Sequence, residues 1–403
     1  MSNCTPITNC LACGGSDLIL TLDLQDQPLA NSFKPTGDIA SEEFYPLAVN
    51  RCQDCDHLQL THAVDPKLIY THYLYVSGTS GTYVEYMDWY AEFVCEQFAN
   101  TPLTVLDIGC NDGSQLNAFK KLGLQTFGVD PAENLHPKSS ANHAVTLGFW
   151  DQETSVKLGT QRFDVITTQN SFAHIPDPLT YLVLARERLN NGGRIFISTS
   201  QADMVLNGEF DTIYHEHISY YNAESMQALA NRAGLHLIDV IKTPIHGTSY
   251  VFVLSKEPSN TQRIENILAM EYKLHQGSTY RKWADGVNQL LLDLKDQIGI
   301  YREWGYTIVG YGAAAKGMTL INASDIRLDC VIDDNPLKQG LYCPGTEIPV
   351  VDIDWLSRLS KPERVVFVPL AWNFYNEIKR KIKAKRDVDG DLFLRYFPTI
   401  TTE

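Results

Sequence analysis

Residues 103–113 read Leu-Thr-Val-Leu-Asp-Ile-Gly-Cys-Asn-Asp-Gly and are the most informative part of the chain. They predict a buried strand that ends in a glycine turn, followed by a helix over about 114–122. A second predicted strand, residues 126–130, ends at an acid. Gly109 and Gly113 let the backbone approach a ligand closely, and Asp130 is placed to accept both hydroxyl groups of a ribose. The pattern therefore predicts a doubly wound α/β domain that binds a nucleoside.

The spacing of this turn differs from the G-x-G-x-x-G of dinucleotide enzymes. The form D-x-G-x-x-x-G, with an acid about 20 residues later, resembles motif I of S-adenosylmethionine-dependent methyltransferases. That cofactor has no pyrophosphate, which is consistent with a glycine turn that differs from that of the dinucleotide enzymes. The alternative is an unrelated doubly wound domain with a glycine turn. The resemblance implies a cofactor site at Asp107, Gly109, Cys110, Asn111 and Asp130.

Further strands are predicted at 163–170, 194–198, 235–240 and 249–254, with helices at about 178–189 and 223–233. Ligands of open α/β sheets lie at the carboxyl ends of the strands. Phe149 and Trp150 are suited to flank an adenine, and Asn170 ends the strand that precedes His174. We therefore expect Phe149, Trp150 and Asn170 near the cofactor and His174 near the chemistry.

Residues 211–221 concentrate reactive side chains in the sequence Asp-Thr-Ile-Tyr-His-Glu-His-Ile-Ser-Tyr-Tyr. If this stretch is extended, His215 shares a face with His217, and Tyr214 shares the other with Glu216. A carboxylate beside an imidazole raises the pKa of the imidazole and fixes its tautomer, as a general base requires. The alternative is a polar strand end whose histidines only satisfy backbone groups.

The C-terminal third contains a second glycine turn after a long predicted helix at 260–303. The turn reads Tyr-Thr-Ile-Val-Gly-Tyr-Gly-Ala-Ala-Ala-Lys-Gly (306–317) and is followed by predicted strands at 330–334 and 364–369. Backbone amides after Gly312 and the ammonium of Lys316 can hold a phosphate at the helix N-terminus. This turn predicts a nucleotide or phosphate site and only weakly favours NAD.

Nine cysteines occur in the chain, and four of them form two CxxC pairs: Cys10, Cys13, Cys52 and Cys55. Two such pairs supply four thiolates to one tetrahedral zinc ion, and a closed four-thiolate site is structural. Redox dithiols or unpaired thiols are the alternatives. Cys4, His57 and His62 lie nearby as spare candidate ligands.

Composition excludes several classes of protein. The net charge of −15 argues against a nucleic-acid-binding surface, which is basic. No run of about 18 apolar residues that would span a bilayer occurs. The first residues lack a basic segment and an apolar core, so we expect no signal peptide and a cytoplasmic protein. No coiled coil or repeat is evident, which favours a monomer.

The order of these parts resembles the sugar C-methyltransferases, which act on nucleotide-linked 4-keto-deoxysugars. The resemblance rests on the two CxxC pairs, Tyr-His-Glu-His at 214–217, Tyr-Leu-Tyr-Val-Ser-Gly-Thr-Ser at 73–80, the glycine turn at 306–317 and Ala-Trp-Asn-Phe at 371–374. It implies a zinc-binding domain (1–74), a class I methyltransferase domain (75–275) and a C-terminal Rossmann-like domain (276–403). The fold class we expect is therefore α/β, with a small N-terminal β module.

The same resemblance assigns roles to individual residues. It implies that His217 is the base, with Glu216, Tyr214, His174 and Tyr75 around it. The small hydroxyl residues of the following segment either cap a helix or contact the substrate: Ser77, Thr79 and Ser80. It also implies that the sugar nucleotide lies between the middle and C-terminal domains, with its phosphates at Gly312 and Lys316.

The reaction that this resemblance implies is methylation of carbon 3 of a nucleotide-linked, dTDP-type sugar through an enolate. An O- or N-methyltransferase acting on a sugar nucleotide or natural product is the main alternative. A zinc-ribbon binding protein or RNA-modifying enzyme, and a dehydrogenase that uses the second glycine turn, are further alternatives.

Overall fold

A computed structural model describes residues 3–35, 42–70, 81–100, 103–200, 203–243, 249–259, 261–360 and 363–403. The chain divides into two compact units. The first unit comprises Met1–Leu20, Asn50–Asp203 and Glu216–His275. The second unit comprises Thr21–Val49, Met204–His215 and Gln276–Glu403.

The N-terminal elements are short strands and one helix turn: β1 (Cys4–Pro6), β2 (Leu18–Gln27), β3 (Tyr45–Cys52), β4 (Leu58–Leu60), β5 (His62–Val64) and α1 (Pro66–Tyr70). Strand β1 pairs antiparallel with β5. The long strands β2 and β3 each pass from one unit into the other along the chain. These elements form the small N-terminal β module that was expected.

The strands that follow in the first unit are β6 (Thr104–Ile108), β7 (Gln125–Asp130), β8 (Ala144–Leu147), β9 (Phe163–Gln169), β10 (Leu189–Ser200), β11 (Ser219–Tyr220), β12 (His236–Thr243) and β13 (Ser249–Ser255). All except β11 form one seven-stranded sheet in the order β12-β13-β10-β9-β6-β7-β8. Strand β13 runs antiparallel to both of its neighbours, whereas β10, β9, β6, β7 and β8 are mutually parallel. The strand order reverses at β6, the kind of switch point where open α/β sheets bind ligands.

Helices cover both faces of this sheet, which explains why its strands are continuously apolar. Val105 and Phe196 pack with the buried residues of one face, while the adjacent Leu106 and Ile197 pack with those of the other. The helices here are α2 (Gly81–Glu96), α3 (Ser114–Lys121), α4 (His136–Ser139), α5 (Gln152–Lys157), α6 (Pro178–Arg188), α8 (Ala223–Arg232) and α9 (Gln262–Glu271), while α7 (Met204–Asn207) belongs to the second unit.

The second unit contains a six-stranded sheet in the order β16-β15-β14-β17-β18-β19. Its elements are α10 (Gly277–Glu303), β14 (Thr307–Tyr311), α11 (Ala315–Ser324), β15 (Cys330–Ile332), β16 (Val350–Val351), β17 (Val365–Pro369), α12 (Tyr375–Lys385), β18 (Leu392–Arg395) and β19 (Thr401–Thr402). The five strands from β16 to β18 pair in parallel, and the order reverses at β14, the strand before the second glycine turn.

This architecture confirms the predicted fold class: a Rossmann-like sheet in the middle of the sequence, a small N-terminal β module and a C-terminal α/β sheet. One helix prediction was wrong in detail. Residues 260–303 form α9, a short 3₁₀ turn at 272–275 and α10, with Gln276 in an extended conformation between them. Among the described helices, none combines the length and apolar character required to cross a membrane.

Candidate active site

The four cysteines of the two CxxC pairs converge in the first unit. The sulfur atoms of Cys10 and Cys55 lie 3.6 Å apart, and those of Cys13 and Cys52 lie 3.5 Å apart. All four sulfurs lie within 4.8 Å of one another. A tetrahedral zinc ion with Zn–S bonds of about 2.3 Å holds its sulfurs roughly 3.8 Å apart, so the cluster fits this metal.

The surroundings of the cluster also suit a bound cation. The amide of Cys13 points at the sulfur of Cys10, and the amide of Gly15 points at the sulfur of Cys13, each at 3.4 Å. Burial raises the pKa of Cys52 to about 12, so this thiol ionises at neutral pH only with a cation beside it. Four protein ligands complete a zinc coordination sphere, which makes the site structural.

The glycine turn after β6 lies at the switch point of the large sheet. Gly109 has a φ of +81°, and a Cβ atom there would lie 2.5 Å from Oγ of Ser171. The amide of Asn111 donates to Oδ2 of Asp130 at 2.8 Å, so the acid at the end of β7 holds the turn in place. Cys110 packs its sulfur against Gly128, which leaves its backbone to face a ligand.

Two carboxyl groups flank this turn and are both buried. Burial, with a smaller contribution from Asp130, raises the pKa of Asp107 to about 8. Within the described residues, Oδ1 of Asp107 has no hydrogen-bond partner. Both oxygens of Asp130 accept backbone amides, from Asn111 and Ala132, and each oxygen retains a further lone pair for a ribose hydroxyl. The predicted residues therefore fit a ligand that is cationic near Asp107 and carries hydroxyls near Asp130.

The other predicted cofactor residues follow neighbouring strands at the same edge of the sheet. Phe149 and Trp150 lie in the loop after β8, and Asn170 follows β9 with a φ of +54°. The indole of Trp150 donates to the carbonyl of Tyr181 at 3.1 Å and contacts its ring edge to face. The structure therefore holds Trp150 against α6, while Phe149 is half-buried beside it.

A pair of histidine rings forms the centre of the predicted catalytic residues. The rings of His174 and His217 lie 5.1 Å apart at an interplanar angle of 30°. The amide of Ile218 donates to the carbonyl of Ala173 at 2.7 Å, and the carbonyl of Ile218 accepts from Leu60 at 2.8 Å. These bonds bring His217 to the loop after β9, a contact that the sequence alone did not predict.

Burial lowers the pKa of His174 to about 4, so its ring is neutral at neutral pH. Its Nε2 atom is buried and has no hydrogen-bond partner among the residues that the structure describes. A neutral His174 carries no charge that would oppose protonation of His217. The pair is therefore suited to a site in which His217 accepts a proton.

Residues 211–221 are extended only in part, so the condition under which His215 and His217 would share a face is not met. Residues 214–216 form a bend and turn, and only 219–220 are in a strand. His215 consequently does not share a face with His217: its Nε2 lies 3.1 Å from the carbonyl of Tyr45, and burial lowers its pKa to about 4. Glu216 is buried and Tyr214 is half-buried, and both are close to His217 in the sequence. The predicted Tyr75, Ser77, Thr79 and Ser80 lie outside the described residues.

The second glycine turn belongs to the second unit and has its own polar cluster. Gly312 has a φ of +95°, and the amide of Ala313 donates to Oδ2 of Asp333 at 2.6 Å. The ammonium of Lys316 lies 3.7 Å from Oδ1 of Asp211 and 5.7 Å from the ring centre of Trp372. Lys316 therefore lies beside the turn, where a residue that binds phosphate was expected, but its ammonium already has Asp211 as an acidic neighbour.

Sequence reasoning missed two residues that the structure brings to these clusters. Asp211 is buried and also accepts hydrogen bonds from Trp372 Nε1 at 2.8 Å and Tyr396 Oη at 3.0 Å. Tyr70 stacks on His174, with ring centres 5.3 Å apart. The sequence signals were weak: Asp211 is the first residue of the stretch 211–221, and Tyr70 lies three residues before the motif at 73–80.

Comparison with known protein families assigns most of the chain. The "C-methyltransferase C-terminal domain" matches residues 244–398, a "Methyltransferase domain" matches residues 82–240, and a zinc binding domain matches residues 10–70. The C-methyltransferase NovU from Streptomyces niveus is 29% identical over 396 residues, which cover 93% of this chain and 91% of that protein. The chain is an S-adenosylmethionine-dependent C-methyltransferase that is similar to NovU over nearly its whole length.

Other proteins are similar to a smaller share of this chain. A ubiquinone biosynthesis O-methyltransferase from Coxiella burnetii is 27% identical over 171 residues, covering 38% of this chain and 73% of that protein. The crystal structure of an S-adenosylmethionine-dependent methyltransferase from Clostridium acetobutylicum is 12% identical and covers 43% of this chain and 92% of that chain, with a TM-score of 0.37. The cofactor is S-adenosylmethionine, and the cysteine cluster holds the structural zinc ion.

Proposed function

We propose that this C-methyltransferase transfers a methyl group to carbon 3 of a nucleotide-linked 4-keto-deoxysugar, one carried on dTDP, through an enolate. The observation that carries the proposal is the pairing of His217 with a neutral His174 at 5.1 Å. A base is needed because a sugar carbon that bears only hydrogen is not a nucleophile. A ketone at carbon 4 makes the proton on carbon 3 acidic enough for an imidazole to remove.

In this mechanism His217 takes the proton from carbon 3, and the electron pair moves onto the ketone oxygen. Tyr214, or a neighbour such as Tyr75, donates a hydrogen bond to the enolate oxygen and so stabilises the developing charge. Glu216 precedes His217 in the sequence and is buried. In the proposal it belongs to the active site around the base and is not a solvent-exposed surface residue. S-adenosylmethionine, when bound, supplies the electrophilic methyl group of its sulfonium.

The residues around the first glycine turn bind that cofactor in the proposal. Asp107 faces the cationic part of the molecule, because its buried Oδ1 lacks a partner within the described chain. Asp130 accepts the ribose hydroxyls while its bonds to Asn111 and Ala132 keep the turn fixed. Cys110 and Asn111 contribute backbone, and Phe149, Trp150 and Asn170 border the adenosine. Fixing the cofactor in one orientation contributes to catalysis by positioning.

The second glycine turn is the proposed site for the phosphates of the sugar nucleotide. The amides that follow Gly312 lie at the N-terminus of α11, a position that favours anions. Lys316 adds one positive charge, and Asp211 with Trp372 holds its ammonium at this position. Ser77, Thr79 and Ser80 complete the proposed substrate contacts.

The similarity of part of the chain to an O-methyltransferase makes transfer to oxygen the alternative. The test uses S-adenosylmethionine with a ¹³C-labelled methyl group and a panel of dTDP-, GDP- and CDP-linked 4-keto sugars. We expect the labelled carbon of the product to have the chemical shift of a methyl group bonded to carbon. Its protons should show long-range correlations to carbons of the sugar ring. A methoxy resonance would establish the alternative, and no product with any member of the panel would contradict the sugar assignment.

A further inference from the structure

Tyr70 connects the two chain segments that carry the histidine pair. Its ring stacks on His174, which lies in the loop after β9, and its hydroxyl donates to the carbonyl of Glu216, the residue before His217. We propose that Tyr70 is a positioning residue that fixes the relative orientation of His174 and His217. This inference rests on the proposed function, in which His217 is the base.

The stacking geometry is the first support. The rings of Tyr70 and His174 are 5.3 Å apart and nearly parallel, at 12°, while those of His174 and His217 are 5.1 Å apart at 30°. The three rings therefore form one series, with His174 in the middle. Because aromatic pairs in such offset arrangements attract each other, Tyr70 limits the tilt of His174, and His174 limits the tilt of His217.

The hydroxyl group is the second support. Oη of Tyr70 lies 3.1 Å from the carbonyl oxygen of Glu216 and donates to it. Residues 214–216 form a bend and turn, so this bond reaches the backbone directly before His217. This bond therefore anchors the backbone of the base, and the ring fixes the imidazole beside it.

The position of Tyr70 argues against a role in the general core. It is the last residue of α1, a five-residue helix in which no residue is buried. Tyr70 itself is half-buried. Because none of its residues is buried, this helix contributes little hydrophobic stabilisation, whereas Tyr70 contacts both histidine segments.

Two variants separate the functions of the ring and the hydroxyl. Tyr70→Phe keeps the stacked ring and removes the hydrogen bond, whereas Tyr70→Ala removes both. Tyr272→Ala is the matched control, because Tyr272 is a tyrosine of the same unit that is 63% exposed. For each protein, kcat, KM and the pH profile of kcat are measured, together with S-adenosylmethionine affinity and zinc content as tests of folding.

We expect Tyr70→Phe to lower kcat by about threefold to tenfold, the effect of one lost hydrogen bond, and Tyr70→Ala to lower it by roughly tenfold to hundredfold. Cofactor affinity and zinc content should remain unchanged in both. The limb of the pH profile that reports the base should move in Tyr70→Ala and not in the control. A kcat within twofold of wild type for Tyr70→Ala, or an equal loss of cofactor affinity, would overturn the proposal.

A second measurement stays valid if the panel of keto sugars yields no product. NMR titration of ¹³C-labelled histidine, assigned with His174→Gln, follows the His174 ring without any substrate. The titratable rings that face His174 in the described residues are those of Tyr70 and His217. We expect the low pKa of His174 to be retained in Tyr70→Phe and to rise toward 6.5 in Tyr70→Ala, because water reaches the uncovered face. An unchanged pKa in Tyr70→Ala would contradict the positioning role.

Discussion

Burial of a single residue in the first unit shifts its pKa enough to change its charge state at neutral pH. Glu271, the last residue of α9, is 2% exposed and accepts the amide of Ala223, the first residue of α8. Burial, with a smaller contribution from Asp203, raises its pKa from 4.5 to about 8. The protonated carboxyl group is therefore the form that the folded protein prefers at neutral pH.

This shift makes stability depend on pH with a definite sign. Between pH 4.5 and about 8 the folded state binds more protons at Glu271 than the unfolded state, so this residue lowers stability progressively as pH rises. Glu271→Gln keeps an acceptor for Ala223 but cannot ionise. We expect its melting temperature, relative to wild type, to increase steadily from pH 5 to pH 8 and then to level off. Glu265→Gln, an exposed substitution in the same helix, should show a constant difference. A constant difference for Glu271→Gln as well would refute the shift.

The sequence predicted residues whose role depends on local motifs and missed those defined by contacts distant in the chain. The fold of the turn at Gly109 follows from neighbouring residues, and the structure has it as predicted. Tyr70 contacts residues 104 and 146 positions away, His174 and Glu216, and nothing in its own segment indicates either contact. Asp211 meets Lys316 in the same long-range way. Such contacts require the folded chain.

Among the structural elements, the N-terminal module depends most on its metal. Apart from β2 and β3 its strands have three residues each, and the four cysteine sulfurs add a metal site to the small apolar core of the module. The gap between the two cysteine pairs contains β2 and most of β3. We therefore expect metal binding and folding of this module to be coupled.

Cys52→Ser should remove one ligand of the zinc ion and release the metal. We expect zinc content to fall from one ion per chain toward none, with a decrease of at least ~5 °C in melting temperature, because metal binding contributes directly to folding. Cys95→Ser is the matched control, since Cys95 lies in α2 outside the cluster. Metal analysis and calorimetry of the purified variants measure both quantities. Retention of a full zinc equivalent in Cys52→Ser would contradict the four-thiolate site.

Element prediction succeeded where the apolar pattern was uninterrupted and failed where backbone contacts override it. Strands β6, β7, β9 and β13 lie close to their predicted ranges because both faces of the sheet demand apolar residues. The stretch 211–221 has strand-like composition, but the bonds from Ile218 to Ala173 and Leu60 fix it as a turn followed by a short strand. The break at Gln276 was missed because helical spacing continues on both sides of it.

On the scale of the whole molecule, the two units prepare their glycine turns in the same way. Each sheet reverses its strand order at the strand before the turn, β6 or β14. In each, the acid at the end of the neighbouring strand accepts an amide of the turn, Asp130 from Asn111 at 2.8 Å and Asp333 from Ala313 at 2.6 Å. Both turns are therefore fixed before a ligand binds, which limits the entropy that binding costs. The division into domains at 74 and 275 stays a prediction.

The central claim is that His217 removes a proton from the carbon next to the ketone. Mass spectrometry of a dTDP-4-keto-6-deoxy sugar incubated with the enzyme in deuterated water, without S-adenosylmethionine, tests it most directly. We expect the wild-type enzyme to introduce one deuterium beside the ketone, and His217→Ala to introduce none while binding the cofactor with nearly unchanged affinity. His236→Ala, an exposed histidine on β12, is the control and should exchange as wild type does. Undiminished exchange by His217→Ala, or a matching loss of cofactor affinity, would contradict the account.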